Sequence, residues 1–417
     1  MGRDSTWQCW WGGYDIILIE GEMMHKPAIT FVSSHLSSVS ETAATAMVHV
    51  LMPILLLAGC LYAQQPPQNQ GSGGAWRFAV SGDSRNCGDI VMPAIAQGVR
   101  RDGASFYWHL GDYRAIFTFD EDYLHTHPAS TISDYMANAW PDFISHQLLP
   151  FADTPVFLGL GNHELISPKT RTDYTIQFAD WLDKPVLQTQ RLADNPNDHM
   201  LHTYNHWIDR GVNFITLDNA SADEFDSAQM SWLTGVLQRA ADNPAVKTLV
   251  LGMHAPLADS LAAGHGMNDS AQGQVTGRQV YSSLVAFRKK SGKNVYVLAS
   301  HSHLVLNNIY ATACHAKDEV LPGWIIGSAG AIRYQLPKEH AASDIALANV
   351  YGYLLGTVSP DGTIQFEFKQ VNEADIPPSV TKEFSSEQVH WCFEKNTSKY
   401  EVGGPACSNT TGAESRH

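Results

Sequence analysis

The sequence is short of positive charge and lacks several motifs that mark common enzyme classes. Its 417 residues carry 27 Lys and Arg against 42 Asp and Glu, a formal net charge of −15. An acidic surface repels phosphate backbones, which argues against nucleic acid as the main partner. No C-x-x-C pair, G-x-S-x-G element or P-loop occurs. These absences argue against a thiolate zinc site, a nucleophile-elbow serine hydrolase and a P-loop nucleotide-binding protein.

Long apolar runs are also missing after residue 63. Residues 47–63 read MVHVLMPILLLAGCLYA, a run too short to span a bilayer but typical of the apolar part of a secretory signal. LAGC at 57–60 resembles a lipoprotein signal, which would leave a lipid anchor on Cys60; ordinary cleavage after Ala63 is the alternative. Both predict export, to the periplasm, the extracellular space or a membrane anchor. We therefore divide the N-terminal part into an extension with signal segment, 1–63, and a flexible linker, 64–75.

Four cysteines follow Cys60, namely Cys87, Cys314, Cys392 and Cys407. Export permits disulfides, and an even number of cysteines allows two bridges. Three pairings are possible, and the sequence does not choose among them.

From residue 76 onward, apolar segments that resemble buried strands repeatedly end in Asp, Asn or His. The segments are WRFAVSGDSR (76–85), SFYWHLGDYR (105–114), TPVFLGLGNHE (154–164), VKTLVLGMHAP (246–256) and NVYVLASHSH (294–303). Helical patterns, such as those of 89–101 and 226–241, lie between several of them. This alternation predicts an α/β fold whose sheet is packed on both faces by helices.

The polar strand ends predict a metal site. Open α/β sheets bind ligands at the carboxyl ends of their strands, so residues distant in sequence can converge there. The candidate metal ligands are Asp83, Asp112, Asn162, His254, His301 and His303. Oxygen and imidazole ligands suit Zn, Mn or Fe. Six ligands are too many for one tetrahedral ion and suit two ions that share a carboxylate.

The motif order D…GD…GNHE…H…SHSH resembles that of the calcineurin-like metallophosphoesterases, which include the purple acid phosphatases, over residues 76–370. SHSH at 300–303 is similar to the family motif GHxH, with Ser300 in place of glycine. The resemblance implies a four-layer αββα sandwich, with two mixed β-sheets flanked by helices and the metal site at the strand carboxyl ends. Residues 371–417 show little periodicity and are predicted to be a C-terminal tail on the domain surface.

The same resemblance implies a role for each candidate residue. Two metal ions would be bridged by Asp112. The first ion would also bind Asp83 and His303, and the second Asn162, His254 and His301. His163 would contact the phosphoryl group and assist the leaving group, with Glu164 orienting it. Such a centre generates a metal-bound hydroxide near neutral pH, so no protein nucleophile is needed. The implied function is hydrolysis of a small phosphomonoester or phosphodiester.

Two positions depart from the family pattern. The first motif is Asp83-Ser84-Arg85 where many members have Asp-x-His, and Ala115 stands where purple acid phosphatases have a tyrosine ligand. The first metal therefore lacks a ligand. Arg85 could instead bind the substrate phosphate, because its planar fork matches phosphate oxygens.

Two further residues are candidates for substrate binding. Arg114 is the second candidate phosphate ligand; for either arginine the alternative is an ion pair with a nearby carboxylate. His265, in the glycine-rich loop AAGHGMNDSAQG, is a candidate at the mouth of the site. The departures at 85 and 115 keep a second function open: a weakly active or inactive protein that binds phosphate ligands on the same fold.

Overall fold

The computed structural model of the chain describes residues 74–221, 224–405 and 407. The predicted signal segment, the Cys60 anchor and nearly all of the linker lie outside the described residues. Strands form at β1 (Trp76–Ser81), β2 (Tyr107–His109), β3 (Val156–Leu158), β4 (Asn205–Asp209), β5 (Val212–Thr216), β6 (Thr248–Met253), β7 (Asn294–Ala299), β8 (Val305–Asn307), β9 (Gly323–Ile326), β10 (Arg333–Gln335), β11 (Ala346–Leu347), β12 (Tyr351–Val358), β13 (Ile364–Val371) and β14 (Thr397–Glu401).

The α-helices of the described residues connect and cover these strands. They are α1 (Gly88–Arg101), α2 (Glu121–Thr126), α3 (Ile132–Phe143), α4 (Arg171–Gln177), α5 (Ala179–Leu182), α6 (Pro185–Asp194), α7 (Ser227–Asp242), α8 (Ala271–Ser291) and α9 (Pro378–Glu394). The Asp226 side chain caps α7 by accepting a hydrogen bond from the Gln229 amide, as expected for aspartate at a helix N-terminus. None of these helices is long and apolar enough to cross a membrane.

The strands form two large mixed sheets. The five-stranded sheet has the order β13-β12-β1-β2-β3, and the seven-stranded sheet the order β11-β8-β9-β7-β6-β5-β4. In the first sheet β1, β2 and β3 are parallel, and in the second β5, β6, β7 and β9 are parallel. Antiparallel pairs complete both sheets, for example β12 with β1 and β4 with β5. Strands β10 and β14 form a separate pair.

The layers follow from the alternation of side chains along the strands. Phe78 and Trp108 of the five-stranded sheet pack in one core with Phe214 and Val250 of the seven-stranded sheet. Helices α1 and α9 pack on the outer face of the first sheet, and α7 and α8 on the outer face of the second. The predicted four-layer αββα sandwich is therefore confirmed.

The segment after residue 371 differs from the predicted surface tail. Helix α9 buries Val380, Phe384 and Val389 in the outer layer, and β14 pairs with β10. The helix contains a non-helical residue, Ser385, with φ 64° and ψ 155°. This interruption shifts the apolar positions out of the 3.6-residue period, which is why the pattern did not predict a helix.

The two disulfides correspond to one of the three possible pairing schemes. Cys87 pairs with Cys392, and Cys314 with Cys407. The first bridge joins the start of α1, close to the first predicted ligand motif, to the end of α9. The C-terminal segment is thus covalently tied to the strand end that carries Asp83.

Candidate metal centre

The six predicted ligands all follow strands and meet at one edge of the sandwich. The five-stranded sheet supplies Asp83 after β1, Asp112 after β2 and Asn162 after β3, and the seven-stranded sheet supplies His254 after β6 and both His301 and His303 after β7. Hydrogen bonds and ion pairs connect residues of the two sets. The structure therefore brings together all six residues that the sequence selected as ligands.

The backbone at these strand ends is held in an uncommon conformation. Asp83, Asp112 and His301 have φ angles of 60°, 60° and 66°, in the left-handed region that non-glycine residues rarely adopt. The turns are fixed by main-chain bonds, such as those from the Asp83 amide to the Gly111 carbonyl and from the Ser84 amide to the Asp112 carbonyl, both 3.0 Å. At Gly161 an added Cβ would collide with Asp112. The glycine before Asn162 is thus required for this close approach.

One group of ligands converges tightly, and we call it the second cation position: Asp112, Asn162, His254 and His301. Asp112, His254 and His301 offer ligand atoms that all lie within 4.8 Å of one another. His254 Nε2 lies 2.9 Å from His301 Nδ1, 3.0 Å from Asn162 Oδ1 and 3.3 Å from Asp112 Oδ1. Burial lowers the pKa of His254, but Asp112 outweighs it and raises that pKa to about 9. The site concentrates negative charge and lone pairs, and its donor set fits a Zn, Mn or Fe ion.

His254 is oriented by groups that the sequence did not identify as functional. Its Nδ1 lies 3.0 Å from the Leu110 carbonyl and 3.1 Å from Ser300 Oγ. Ser300 is fully buried, and its hydroxyl donates to the Leu110 carbonyl at 3.1 Å. The serine that replaces the family's glycine therefore helps to fix a ligand ring, as residues around metal ligands commonly do.

The other group, Asp83, His303 and the Asp112 Oδ2 atom, is the first cation position, and the Arg85 guanidinium lies within it. Arg85 Nη2 is 3.0 Å from His303 Nε2, Nη1 is 2.5 Å from His163 Nε2, and Nε is 3.8 Å from Asp112 Oδ2. Ala115 adds no side-chain ligand. Unlike the second position, the first therefore has a cationic side chain in contact with one of its ligand atoms, while Asp83 Oδ1 and Asp112 Oδ2 are buried without a hydrogen-bond partner among the described residues.

His163 faces this arginine and is oriented by the main chain. Its Nδ1 lies 2.8 Å from the Ala115 carbonyl and can only donate there, which leaves Nε2 directed at Arg85. Its backbone amide donates to Asp112 Oδ1 at 3.0 Å. Burial lowers the pKa of His163, against the charge of Asp112. Nδ1 is thus held by the main chain, and Nε2 faces the centre, where it contacts Arg85.

Glu164 does not orient His163, so the predicted role is corrected. Its carboxylate accepts hydrogen bonds from the amides of Asp112 and Tyr113, both at 2.8 Å, and of Gly161 at 2.9 Å. The short 3₁₀ turn His163–Leu165 directs the two neighbouring side chains apart. Burial, with the charge of Asp112, raises the pKa of Glu164 to about 7. Glu164 anchors the loop that carries Asp112 and is a positioning residue.

Arg114 lies outside the centre, and its predicted substrate contact is also corrected. Its side chain is fully buried, with Nη2 2.5 Å from Asp89 Oδ1 and Nη1 3.3 Å from Asp122 Oδ1. It also pairs with Asp142 and lies 3.7 Å from Asp120. The alternative of pairing with carboxylates therefore describes this arginine.

Aromatic rings flank the mouth of the centre. The His265 ring lies 5.0 Å from that of His301 and 4.9 Å from that of Tyr334, and its Nδ1 is 3.1 Å from the Tyr400 hydroxyl. His265 is therefore a direct neighbour of the candidate ligand His301. Phe117, 57% exposed, lies 5.3 Å from the His163 ring. Tyr400 did not stand out in the sequence, because a single exposed aromatic residue gives no periodic signal.

Comparison with known proteins identifies the fold. The chain is similar to a purple acid phosphatase from yellow lupin (Lupinus luteus) seeds, with a TM-score of 0.50 and 15% identity, covering 72% of this chain and 52% of that chain. It therefore spans about half the length of the lupin protein. A dimetal phosphatase from Danio rerio matches with a TM-score of 0.45 and 10% identity, covering 71% of this chain and 96% of the other.

No family model and no curated protein matches the sequence. At 15% identity the similarity to the lupin structure establishes the fold alone. That fold, shared with a purple acid phosphatase, agrees with the fold that the sequence predicted.

Proposed function

We propose that this chain, which has the fold of the purple acid phosphatases, is a metal-dependent hydrolase of small phosphoesters. One observation carries the proposal: ligand atoms of Asp112, His254 and His301 lie within 4.8 Å of one another at the carboxyl ends of three strands. Asn162 joins them through His254. A purely structural role does not require these buried groups, drawn from two sheets, to share one point.

The residues around the second cation position suit phosphoryl transfer. A Zn, Mn or Fe ion held by Asp112, Asn162, His254 and His301 would act as a Lewis acid and lower the pKa of a water molecule. Arg85 supplies guanidinium donors that match phosphate oxygens in a planar fork. The phosphate is thus gripped from a second side by a fixed positive charge, which electrostatic stabilisation of phosphoryl transfer requires.

His163 is placed to handle the proton of the reaction. Hydrolysis forms a bond from a water oxygen to phosphorus, breaks the bond to the leaving oxygen, and moves one proton from the water to that leaving oxygen. His163 Nδ1 is held by the Ala115 carbonyl at 2.8 Å, so Nε2, which accepts from Arg85, is the ring nitrogen that would take up the proton and pass it to the leaving oxygen. Phe117 and His265 border the same opening and would contact the leaving group.

The proposal includes export. The signal-like run at 47–63 supports it, and so do the disulfides Cys87–Cys392 and Cys314–Cys407, because such bridges persist in oxidising compartments. An exported enzyme of this kind would meet soluble phosphoesters. Lipidation at Cys60 remains a prediction for which the mass of the mature N-terminus is the direct test.

One observation favours a second function. Arg85 contacts His303 and His163 and lies 3.8 Å from Asp112, so a phosphate could be bound at this arginine without any turnover. The alternative is thus a phosphate-binding protein on the same fold. It predicts tight phosphate binding together with no hydrolysis of any ester.

The test is metal removal and restoration. Purified protein is stripped with a chelator and assayed with phosphomonoesters and phosphodiesters, then reassayed after addition of Mn²⁺, Zn²⁺ or Fe²⁺. We expect hydrolysis to disappear on stripping and to return with at least one metal. Asp112→Asn, purified and treated alongside, controls for a contaminating phosphatase and should stay inactive. Full activity in stripped protein would overturn the metal mechanism, and phosphate binding without any hydrolysis would establish the alternative.

A further inference from the structure

The first cation position holds an arginine where the fold's metal-binding relatives would hold an ion. Arg85 Nη2 contacts His303 Nε2 at 3.0 Å, and Nε lies 3.8 Å from Asp112 Oδ2. Both of these ligand atoms belong to the set that was predicted to bind the first metal. The guanidinium therefore lies beside two of the atoms that would bind that ion.

We infer that the Arg85 guanidinium replaces the first metal ion, so that the centre binds one ion, at the second cation position, and uses Arg85 as its other cation. This inference rests on the proposed function and specifies the composition of the same site. It also assigns the phosphate contact: a substrate phosphate would bridge one metal ion and one guanidinium.

The other residues of the first position each have one side-chain atom held by the main chain. His303 Nδ1 donates to the Ile332 carbonyl at 2.6 Å, and its ring stacks on Tyr334 at 4.1 Å. Its Nε2 is thus presented to Arg85 as an acceptor. Asp83 Oδ2 accepts from the His301 amide at 2.7 Å. Asp83 Oδ1 and Asp112 Oδ2 remain buried without a hydrogen-bond partner in the part of the chain that the structure describes. The position therefore still presents negative charge, which the Arg85 guanidinium faces across 3.8 Å at Asp112 Oδ2.

Charge gives the second argument. Asp83 and Asp112 are fully buried carboxylates, and buried charge requires a compensating charge close by. Arginine stays protonated under all ordinary conditions, so Arg85 supplies part of that compensation permanently. A divalent ion brought to the same point would be repelled by the guanidinium at short range. The ion and the arginine are therefore alternatives at this position.

The segment that carries Arg85 is fixed on both sides. The Asn86 amide donates to Asp120 Oδ1 at 2.6 Å, and Asn86 Oδ1 accepts from the Ile332 amide at 3.1 Å. Cys87, the next residue, is bonded to Cys392. With its main chain held in this way and its side chain only 13% exposed, Arg85 remains directed into the centre.

The test counts ions and does not depend on activity. Stripped protein is titrated with Mn²⁺ or Zn²⁺ by calorimetry, and the loaded protein is assayed by elemental analysis. We expect one equivalent for wild type and two for Arg85→His, which restores an imidazole ligand and removes the permanent charge. Arg77→His makes the same substitution at the exposed start of β1 and should keep one equivalent. Two high-affinity equivalents in wild type would overturn the inference, even if Arg85→His failed to fold.

A second titration tests the phosphate contact. Inorganic phosphate is added to protein loaded with one equivalent of metal. Arg85→Ala should weaken phosphate binding by about 10–100-fold, the usual effect of losing a charge-assisted hydrogen bond, whereas Arg77→Ala should not. Unchanged phosphate affinity in Arg85→Ala would overturn the assigned contact.

The outcomes separate this inference from the proposed function. One equivalent of metal with phosphate binding and no hydrolysis would support the single-ion inference and contradict the proposed hydrolase function. Two equivalents of metal with full hydrolysis would contradict the inference and support the proposed function.

Discussion

Arg85 and Arg114 have the same local sequence context, but their side chains have different contacts and roles. Each follows a strand-ending aspartate by two residues, Asp83 after β1 and Asp112 after β2, and the two strands are parallel neighbours. Arg85 is directed to histidine nitrogens in the centre and keeps 13% of its side chain exposed. Arg114 is fully buried among carboxylates. A shared D-x-R spacing therefore does not determine whether an arginine lies in the candidate metal centre or pairs with carboxylates that stabilise the fold.

The difference comes from what surrounds each arginine. The partners of Arg114 are Asp89 of α1 and three carboxylates of the insertion after β2, namely Asp120, Asp122 and Asp142. Burial, despite the charge of Arg114, raises the pKa of Asp89 to about 6. Arg114 is thus the main charge compensation for a crowded acidic cluster, whereas Arg85 shares its task with whatever cation the centre binds.

The largest expected effect tests the centre. His163→Ala should lower turnover by about 10²–10⁴-fold, the usual contribution of a positioned acid or base. Metal content should be unchanged, because His163 is not a ligand of the second cation position. Steady-state kinetics and elemental analysis measure the two quantities. Loss of the metal ion in this variant would show that the histidine is a ligand and that its assigned role is wrong.

The next prediction compares the two arginines directly. Arg114→Met should lower the free energy of unfolding by about 3–5 kcal/mol, because it leaves buried carboxylates without their partner. Arg85→Met, measured with metal present, should cost clearly less, since an ion can then compensate Asp112. Urea unfolding of both variants beside wild type measures the difference. Equal losses, or a larger loss for Arg85→Met, would contradict the distinction between a structural and a functional arginine.

Substitution of Glu164 should have a smaller effect, on both stability and metal affinity. Glu164→Gln replaces one accepting oxygen by a donor, so at least one buried amide among Asp112, Tyr113 and Gly161 loses its acceptor, at a cost of about 1–3 kcal/mol. Metal affinity should fall because the Asp112 loop loosens, while turnover at saturating metal should largely recover. Calorimetric metal titration and kinetics at two metal concentrations separate the two. A loss of turnover that excess metal does not restore would assign Glu164 to the chemistry.

The smallest expected effect is a pH dependence of stability that arises at His146, next to Asp142 and Arg114. A hydrogen bond to Asp142 raises the pKa of His146 from 6.5 to about 9. Because the folded value exceeds the unfolded one, this stabilisation is fully present below about pH 6.5 and is lost as pH rises through about 9. The stability difference between wild type and His146→Gln should therefore shrink from pH 6 to pH 10. Because the His146 side chain is partly exposed, this stability difference should stay below about 1 kcal/mol. A stability difference that grows as the pH rises would contradict a raised pKa of His146 in the folded state.

Much of the fold, and the convergence of the six candidate ligands, could be predicted because the signal is local. Strand, glycine and ligand stand within a few residues of one another in GNHE, and the carboxyl ends of parallel strands meet at one edge. The contacts of each arginine side chain could not be predicted. For example, Asp142 lies 28 residues beyond its partner Arg114, and no sequence pattern links the two. Glu164 was assigned to its sequence neighbour, but the 3₁₀ turn separates the two side chains. Helix α9 was missed because Ser385 interrupts its period.

The second cation position draws its ligands from both sheets, with Asp112 and Asn162 from one and His254 and His301 from the other. An ion bound there is therefore a cross-link between the two halves of the sandwich. Anything that binds the folded state alone stabilises it by mass action, by about 2.7 kcal/mol when the free ligand is at 100 times its dissociation constant. With the proposed ion bound there, the melting temperature would depend on the free metal concentration around the protein. Removing the metal would then lower thermal stability together with activity.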